Sequence, residues 1–202
     1  AVSVDYVELG FRSLEANSFK GSCAYTTDNF IRQLNLPSNL KIGVMINASE
    51  IVNHKKGLVY ALSQLFKPSI KSPLTLVRIA CHMHEFESAL PACLWLKEMG
   101  YEVGVNLMQI AERSKDEIEK VACLASQYPI DVLYFADSMG SMSPDHTSDI
   151  ISTLRLGWEG PLGIHTHDNM GRAMANSMCA VSNGVTWIDS TVTGMGRGPG
   201  NV

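Results

Sequence analysis

The sequence predicts an α/β fold in which one parallel sheet curls into an incomplete (β/α)8 barrel. Three observations carry this reading. Seven short apolar, β-branched runs recur along the chain, and from Leu40 their starts lie about 24–34 residues apart, the length of one βα unit. Segments with helical spacing separate them. No Gly-rich dinucleotide turn follows the first run, which favours a barrel over a doubly wound sheet. A full barrel typically takes ~250 residues. At 202 residues the chain is about one strand short, and residues 1–202 read as a single partial barrel domain.

The strands are expected at Tyr6–Phe11, Leu40–Ile46, Leu74–Cys81, Tyr101–Met108, Asp131–Ala136, Pro161–Thr166 and Val185–Val192. Most stay apolar through their middles, as strands covered on both faces do. A helix over Glu85–Met99 places Phe86, Leu90, Cys93, Leu94 and Lys97 about one face, and Gly100 ends it. The next, Ser114–Ser126, opens with an S-x-x-E capping box in which Ser114 and Glu117 answer each other. Pro144–Leu156 has Ser143 as cap and proline in the first turn, with Gly157 after it. Met170–Asn183 stops at Gly184. Met45, Met99, Met174 and Met178 fall at core-compatible positions, while Lys115 and Lys120 lie on solvated faces.

Composition narrows the class. Apolar residues make up 46% and charged ones 18%, the reverse of a disordered chain. Lys and Arg number 16 against 20 Asp and Glu, a net charge of −4, which argues against nucleic acid as a partner. No apolar run reaches the ~18 residues of a membrane span, and no charged-then-apolar pattern opens these residues. Five cysteines, an odd number with no CxxC pair, argue against a disulfide framework and for a reducing cytoplasm.

Catalytic groups of such barrels gather where the strands end. Here those ends carry Glu8 and Arg12, Asn47, His82 and His84, Asn106 and Gln109, Asp137 and Ser138, His165 and His167, then Asp189 and Ser190. Such groups at every end suggest a shared site. In His165-Thr166-His167 the two histidines point the same way on a strand, with Cα atoms ~6.5 Å apart, so both imidazoles can reach one divalent ion. The same residues also suit capping of the helix that follows. Cys81-His82-Met83-His84-Glu85 is a second H-x-H. It could bind metal too, but His82 is preferred as a pocket-lining residue and His84 as a helix cap or support. The run Gly194 to Asn201 has alternate glycines but fits neither a dinucleotide fingerprint nor a P-loop. It is either a plain turn or a backbone that approaches a ligand closely and delivers the Asn201 side chain.

HTHDNMG, followed by DSTVTGMGRGPGN and preceded by FADSMG, resembles the DRE-TIM metallolyases: pyruvate aldolases, HMG-CoA lyases and isopropylmalate synthases. The branch most resembled is that of the 4-hydroxy-2-oxovalerate aldolases, and the likeness runs from VDYVELGFRS onward. It implies a TIM barrel of which strands 2 to 8 are present. It also implies a carbon–carbon lyase that breaks or forms a bond at a 2-oxo acid through a pyruvate enolate on a divalent ion. That ion is Mn2+ in the first instance, with Mg2+, Co2+ and Zn2+ as alternatives. The family's ligands fall on His165, His167 and Asn201. Its substrate serine falls on Ser138, with His165, His82 and Asn106 beside the substrate. Its strand carboxylates fall on Glu8 and Asp137 as catalytic groups.

Two departures qualify the resemblance. The family's first-strand Asp-Arg motif, source of a further ligand and of an enolate-steadying arginine, precedes the first residue here. Without that strand, unpaired edges favour self-association, so a homo-oligomer is expected. The glycine loop also lacks the cysteine of the CoA-ester lyases. A small 2-oxo acid is the expected substrate, with an aldehyde dehydrogenase as partner by family resemblance and no membrane association. Rival readings are an acyl-CoA/2-oxo acid Claisen-type synthase, an amidohydrolase-like metallohydrolase and an inactive barrel fragment.

Overall fold

The computed structural model describes residues 4–14, 21, 23–196 and 200–202. Seven strands form one sheet in chain order, each pair parallel: β1 (Tyr6–Phe11), β2 (Lys41–Asn47), β3 (Leu76–Cys81), β4 (Glu102–Leu107), β5 (Val132–Asp137), β6 (Leu162–Thr166) and β7 (Trp187–Ile188). Helices α1 (Asp28–Gln33), α2 (Ala48–Val52), α3 (Leu58–Leu65), α4 (Phe86–Glu98), α5 (Lys115–Ala125), α6 (Pro144–Leu154) and α7 (Ala173–Ser182) fall between strands. The sheet curls far enough that the Tyr6 ring of β1 meets the Trp187 ring of β7, with centroids 4.6 Å apart. This is the wall of an incomplete (β/α)8 barrel.

Strand alternation sorts the side chains into two layers. Val44, Ile79, Val105, Leu133 and Ile164 point outward and are buried with Leu62, Leu96, Ala122, Leu154 and Ala180. Each large aliphatic side chain buried there contributes ~1.5–3 kcal/mol. The opposite set, Glu8, Met45, Arg78, Asn106, Tyr134 and His165, faces the inside of the curl. Polar groups therefore collect on the concave side while the helices hold the apolar core.

All seven expected strands are present, and the last is much shorter than expected. The β7 ladder pairs only Trp187 and Ile188; the Asp189 amide still donates to the Ile164 carbonyl at 3.1 Å, and from Thr191 the chain bonds the carbonyl of Val202 instead. Both predicted caps form. The backbone amide of Ser114 donates to Glu117 Oε2 (2.9 Å) and that of Glu117 to Ser114 Oγ (3.3 Å). Ser143 Oγ accepts from the amide of His146 at 3.2 Å, with Pro144 opening α6.

Other expectations need correction. The last helix begins at Ala173, and Met174 and Met178 are 62% and 63% exposed on it. Leu94 is exposed on α4, and Lys97 reaches Asp131 at 2.8 Å instead of packing inward. The short helices α1, α2 and α3 were not anticipated, since five to eight residues carry too little periodic signal. None of the five cysteines is in a disulfide. Among the described residues no helix is long and apolar enough to cross a membrane.

Candidate metal centre at the strand ends

The site is built on β6. His165 is its fourth residue and faces the concave side. Thr166 turns the other way and meets Ser177 on α7 at 3.2 Å, and His167 follows facing inward again. The two imidazoles stand edge to face with centroids 5.1 Å apart. His165 Nδ1 lies 2.8 Å from Asp189 Oδ2. A carboxylate accepts only, so Nδ1 carries the proton, and in the neutral ring Nε2 is then the nitrogen with the free lone pair. The Nε2 atom faces the Asn201 carboxamide, 3.5 Å from its Nδ2, too long for a strong hydrogen bond.

Asn201 is brought there by the chain beyond β7. It forms an antiparallel bridge with His167, and the amide of Asp168 donates to the Gly200 carbonyl at 2.9 Å. Gly200 has φ +99, and a Cβ there would sit 1.8 Å from the Gly194 carbonyl oxygen, so only glycine permits this return. Gly200 thus lets the chain return beside His167; Arg197, Gly198 and Pro199 lie outside the described residues.

Behind the histidines lies a charged chain of Glu8, Arg78 and Asp189, whose central member, Arg78, sequence reasoning did not single out. Arg78, the only charged residue of the otherwise apolar strand β3, is 3% exposed. Its Nη1 is 2.8 Å from both carboxylate oxygens of Asp189, and its Nε is 3.1 Å from Glu8 Oε2. Its guanidinium lies 4.0 Å from the centre of the Tyr134 ring. Burial pushes the Asp189 carboxyl up, but Arg78 and His165 outweigh it and hold the group at about 2. Glu8 moves the other way: loss of solvation raises its carboxyl more than Arg78 lowers it. A lone arginine within an apolar strand was the signal available for finding this residue.

The other expected residues occupy the same ends of the strands in different roles. The β5–β6 ladder runs to the pair Asp137 and Thr166, so Ser138 and His167 are each the first residue beyond it. Ser138 Oγ accepts from the amide of Gln109 at 3.0 Å. Asp137 is fully buried, and its carboxylate accepts from the amides of Ser141 (2.9 Å) and Met142 (3.2 Å), shaping the loop after β5. Asn106 is 4% exposed, with no partner for Oδ1 among the described residues. His82 precedes the single turn Met83–Glu85, and its amide donates to Glu85 Oε2 at 2.9 Å. His84 makes no cap. It projects into solvent and stacks on His82, with ring centroids 5.6 Å apart.

These groups suit a divalent ion. The Asp189 contact leaves Nε2 of a neutral His165 ring free to bind, the His167 imidazole stands beside it, and Asn201 Oδ1 is buried with no hydrogen-bond partner among the described residues. Among the described residues there is no cluster of three or more His, Cys, Asp or Glu around one point. Two imidazoles and a carboxamide therefore leave coordination positions for oxygen from water or substrate.

Comparison with known proteins supports the same region. Residues 74–202 match the HMGL-like family model. Over 143 residues the chain is 33% identical to 4-hydroxy-2-oxovalerate aldolase 2 of Rhodococcus opacus (strain B4), covering 71% of this chain and 41% of that protein. It is 35% identical over 133 residues to the 4-hydroxy-2-oxovalerate aldolase of Pelotomaculum thermopropionicum, covering 66% and 39%. The match thus spans about two fifths of those relatives' length. The N-terminal domain of a Bacteroides vulgatus protein described as an aldolase superposes with a TM-score of 0.82 at 28% identity, over 98% of this chain and 64% of that one. The HMG-CoA lyase of Brucella melitensis shares the fold, with a TM-score of 0.65 at 13% identity over 83% of this chain and 62% of its own. With its paired strand-end histidines, its glycine return and a family match over most of its length, the chain belongs to the HMGL-like family of the DRE-TIM metallolyases.

Proposed function

We propose that the chain carries the metal-binding part of a carbon–carbon lyase of the aldolase type, acting on a small 2-oxo acid, with residues 1–202 forming one unit of the catalytic barrel. The observation that carries this reading is the Asp189–His165 contact of 2.8 Å, which turns Nε2 toward the Asn201 carboxamide beside His167. The named relatives support the substrate class. His165, His167 and Asn201 would hold the ion, Mn2+ before Mg2+, Co2+ or Zn2+. When bound, such an ion supplies Lewis-acid stabilisation of negative charge on a ketone oxygen.

The chain's own residues do the rest. Ser138, at the end of the strand beside that of His167, orients the oxo acid through its hydroxyl, and Asn106 Oδ1 accepts a substrate hydroxyl. His82 lines the rim. Asp137 acts through the loop it ties down, keeping Ser138 and Gln109 in register. Glu8 balances Arg78 on the side away from Asp189. We place the protein in the cytoplasm and assign it self-association and, by analogy with the aldolases, an aldehyde dehydrogenase partner.

A screen of 4-hydroxy-2-oxo acids with Mn2+ present tests the assignment. Release of pyruvate, abolished by Ser138→Ala or His165→Ala, is expected. Turnover only with an acyl-CoA cosubstrate would move the protein to the Claisen-type synthases.

A further inference from the structure

We infer that Arg78 is a positioning residue for the histidine pair, acting through Asp189 to set the tautomer and orientation of His165. This rests on the metal reading above and extends it to a residue on the opposite part of the wall. The geometry is a continuous chain: Glu8 Oε2 to Arg78 Nε at 3.1 Å, Arg78 Nη1 to both Asp189 oxygens at 2.8 Å, and Asp189 Oδ2 to His165 Nδ1 at 2.8 Å.

The Asp189 amide donates to the Ile164 carbonyl at 3.1 Å, but the two-residue strand before it ends there and its carboxylate lies beyond the ladder. A carboxylate there could turn toward solvent. Arg78, by contrast, is anchored at the third position of a fully buried strand, and its Nη1 alone contacts both oxygens of Asp189. Room for it comes from β4: a Cβ on Gly104 would lie 2.9 Å from Arg78 Cγ. The Tyr134 ring below fixes the plane of the guanidinium. With Asp189 immobilised, the His165 ring cannot flip without losing its acceptor, and Nε2 stays directed at the Asn201 carboxamide. Support of this kind, one step behind a ligand, typically changes metal affinity by ~10–100-fold.

The test uses the whole chain and two readouts. The first is the protonation pattern of the His165 ring in the metal-free protein, by long-range 1H–15N correlation. The second is Mn2+ affinity, by electron paramagnetic resonance titration. In the native chain His165 should show the Nδ1–H tautomer. Arg78→Met should lose it and weaken Mn2+ binding by ~10–100-fold, and Arg78→Lys should recover only part of the affinity. Should Arg78→Met fail to fold, Gly104→Ala displaces the Arg78 stem without removing the charge, and should shift both readouts in the same direction. An unchanged His165 tautomer and unchanged Mn2+ affinity in folded Arg78 or Gly104 variants would overturn the role of Arg78. Absence of His165-dependent Mn2+ binding in the native chain, with the tautomer still sensitive to Arg78, would instead overturn the metal reading and leave the positioning chain intact.

Discussion

Arg78 on β3 and Asp189 just beyond β7 face each other across the concave side of the sheet, with Nη1 2.8 Å from both carboxylate oxygens. They are the third and the last strands, so this pair measures how far the wall has curled. Removing one partner of such a buried pair strands the other charge, at a cost of ~3–5 kcal/mol. Arg78→Met is therefore expected to lower stability by that amount. Combining it with Asp189→Asn should cost clearly less than the sum of the two single changes, which a double-mutant cycle in urea measures.

The capping box of α5 gives a second expectation. Ser114 Oγ accepts the Glu117 amide, and Glu117 returns the bond to the Ser114 amide. Ser114→Ala should destabilise the chain by ~0.5–2 kcal/mol, whereas Ser114→Asp should retain most of the native stability. Thermal unfolding of the two variants distinguishes them.

Thiol chemistry gives a third. Burial pushes the Cys81 thiol up and the Cys93 thiol up to about 12, while Cys123 is exposed. At pH 8 a thiol-specific reagent should label Cys123 readily and spare Cys81 and Cys93 until the protein is unfolded. The sign of the pH effect follows. Unfolded cysteine ionises near ~8.5, so the contribution of these buried neutral thiols is fully present below that pH. It declines as pH rises from there toward about 12 for Cys93. Mass mapping of labelled peptides and unfolding curves at rising pH check both statements.

The parts legible in the sequence were those set by local pattern. Apolar runs, the S-x-x-E box of Ser114 and the Ser143-Pro144 start each depend on a few neighbouring residues, and each forms where expected. The short helices between β1 and β3 left no readable period. Met174 and Met178, expected in the core, lie on the exposed face of α7; helical spacing says nothing about which face of a helix meets the rest of the fold. At the strand ends, His165 and His167 were legible because alternation on one strand aligns them. The parts played by Arg78 and Asp189 were not, because their meeting depends on the curl of the whole sheet. Asp137 stood at the right strand end, but only the structure shows its carboxylate taken up by the loop it shapes.

The central claim, that His165, His167 and Asn201 hold a divalent ion, is tested most directly by titrating Mn2+ into the metal-free chain and following the free-ion paramagnetic signal. One ion per chain is expected, with a loss of affinity well beyond the ~10–100-fold of a supporting residue when either His165 or His167 is replaced by alanine. Equal Mn2+ binding by the native chain and His167→Ala would contradict it.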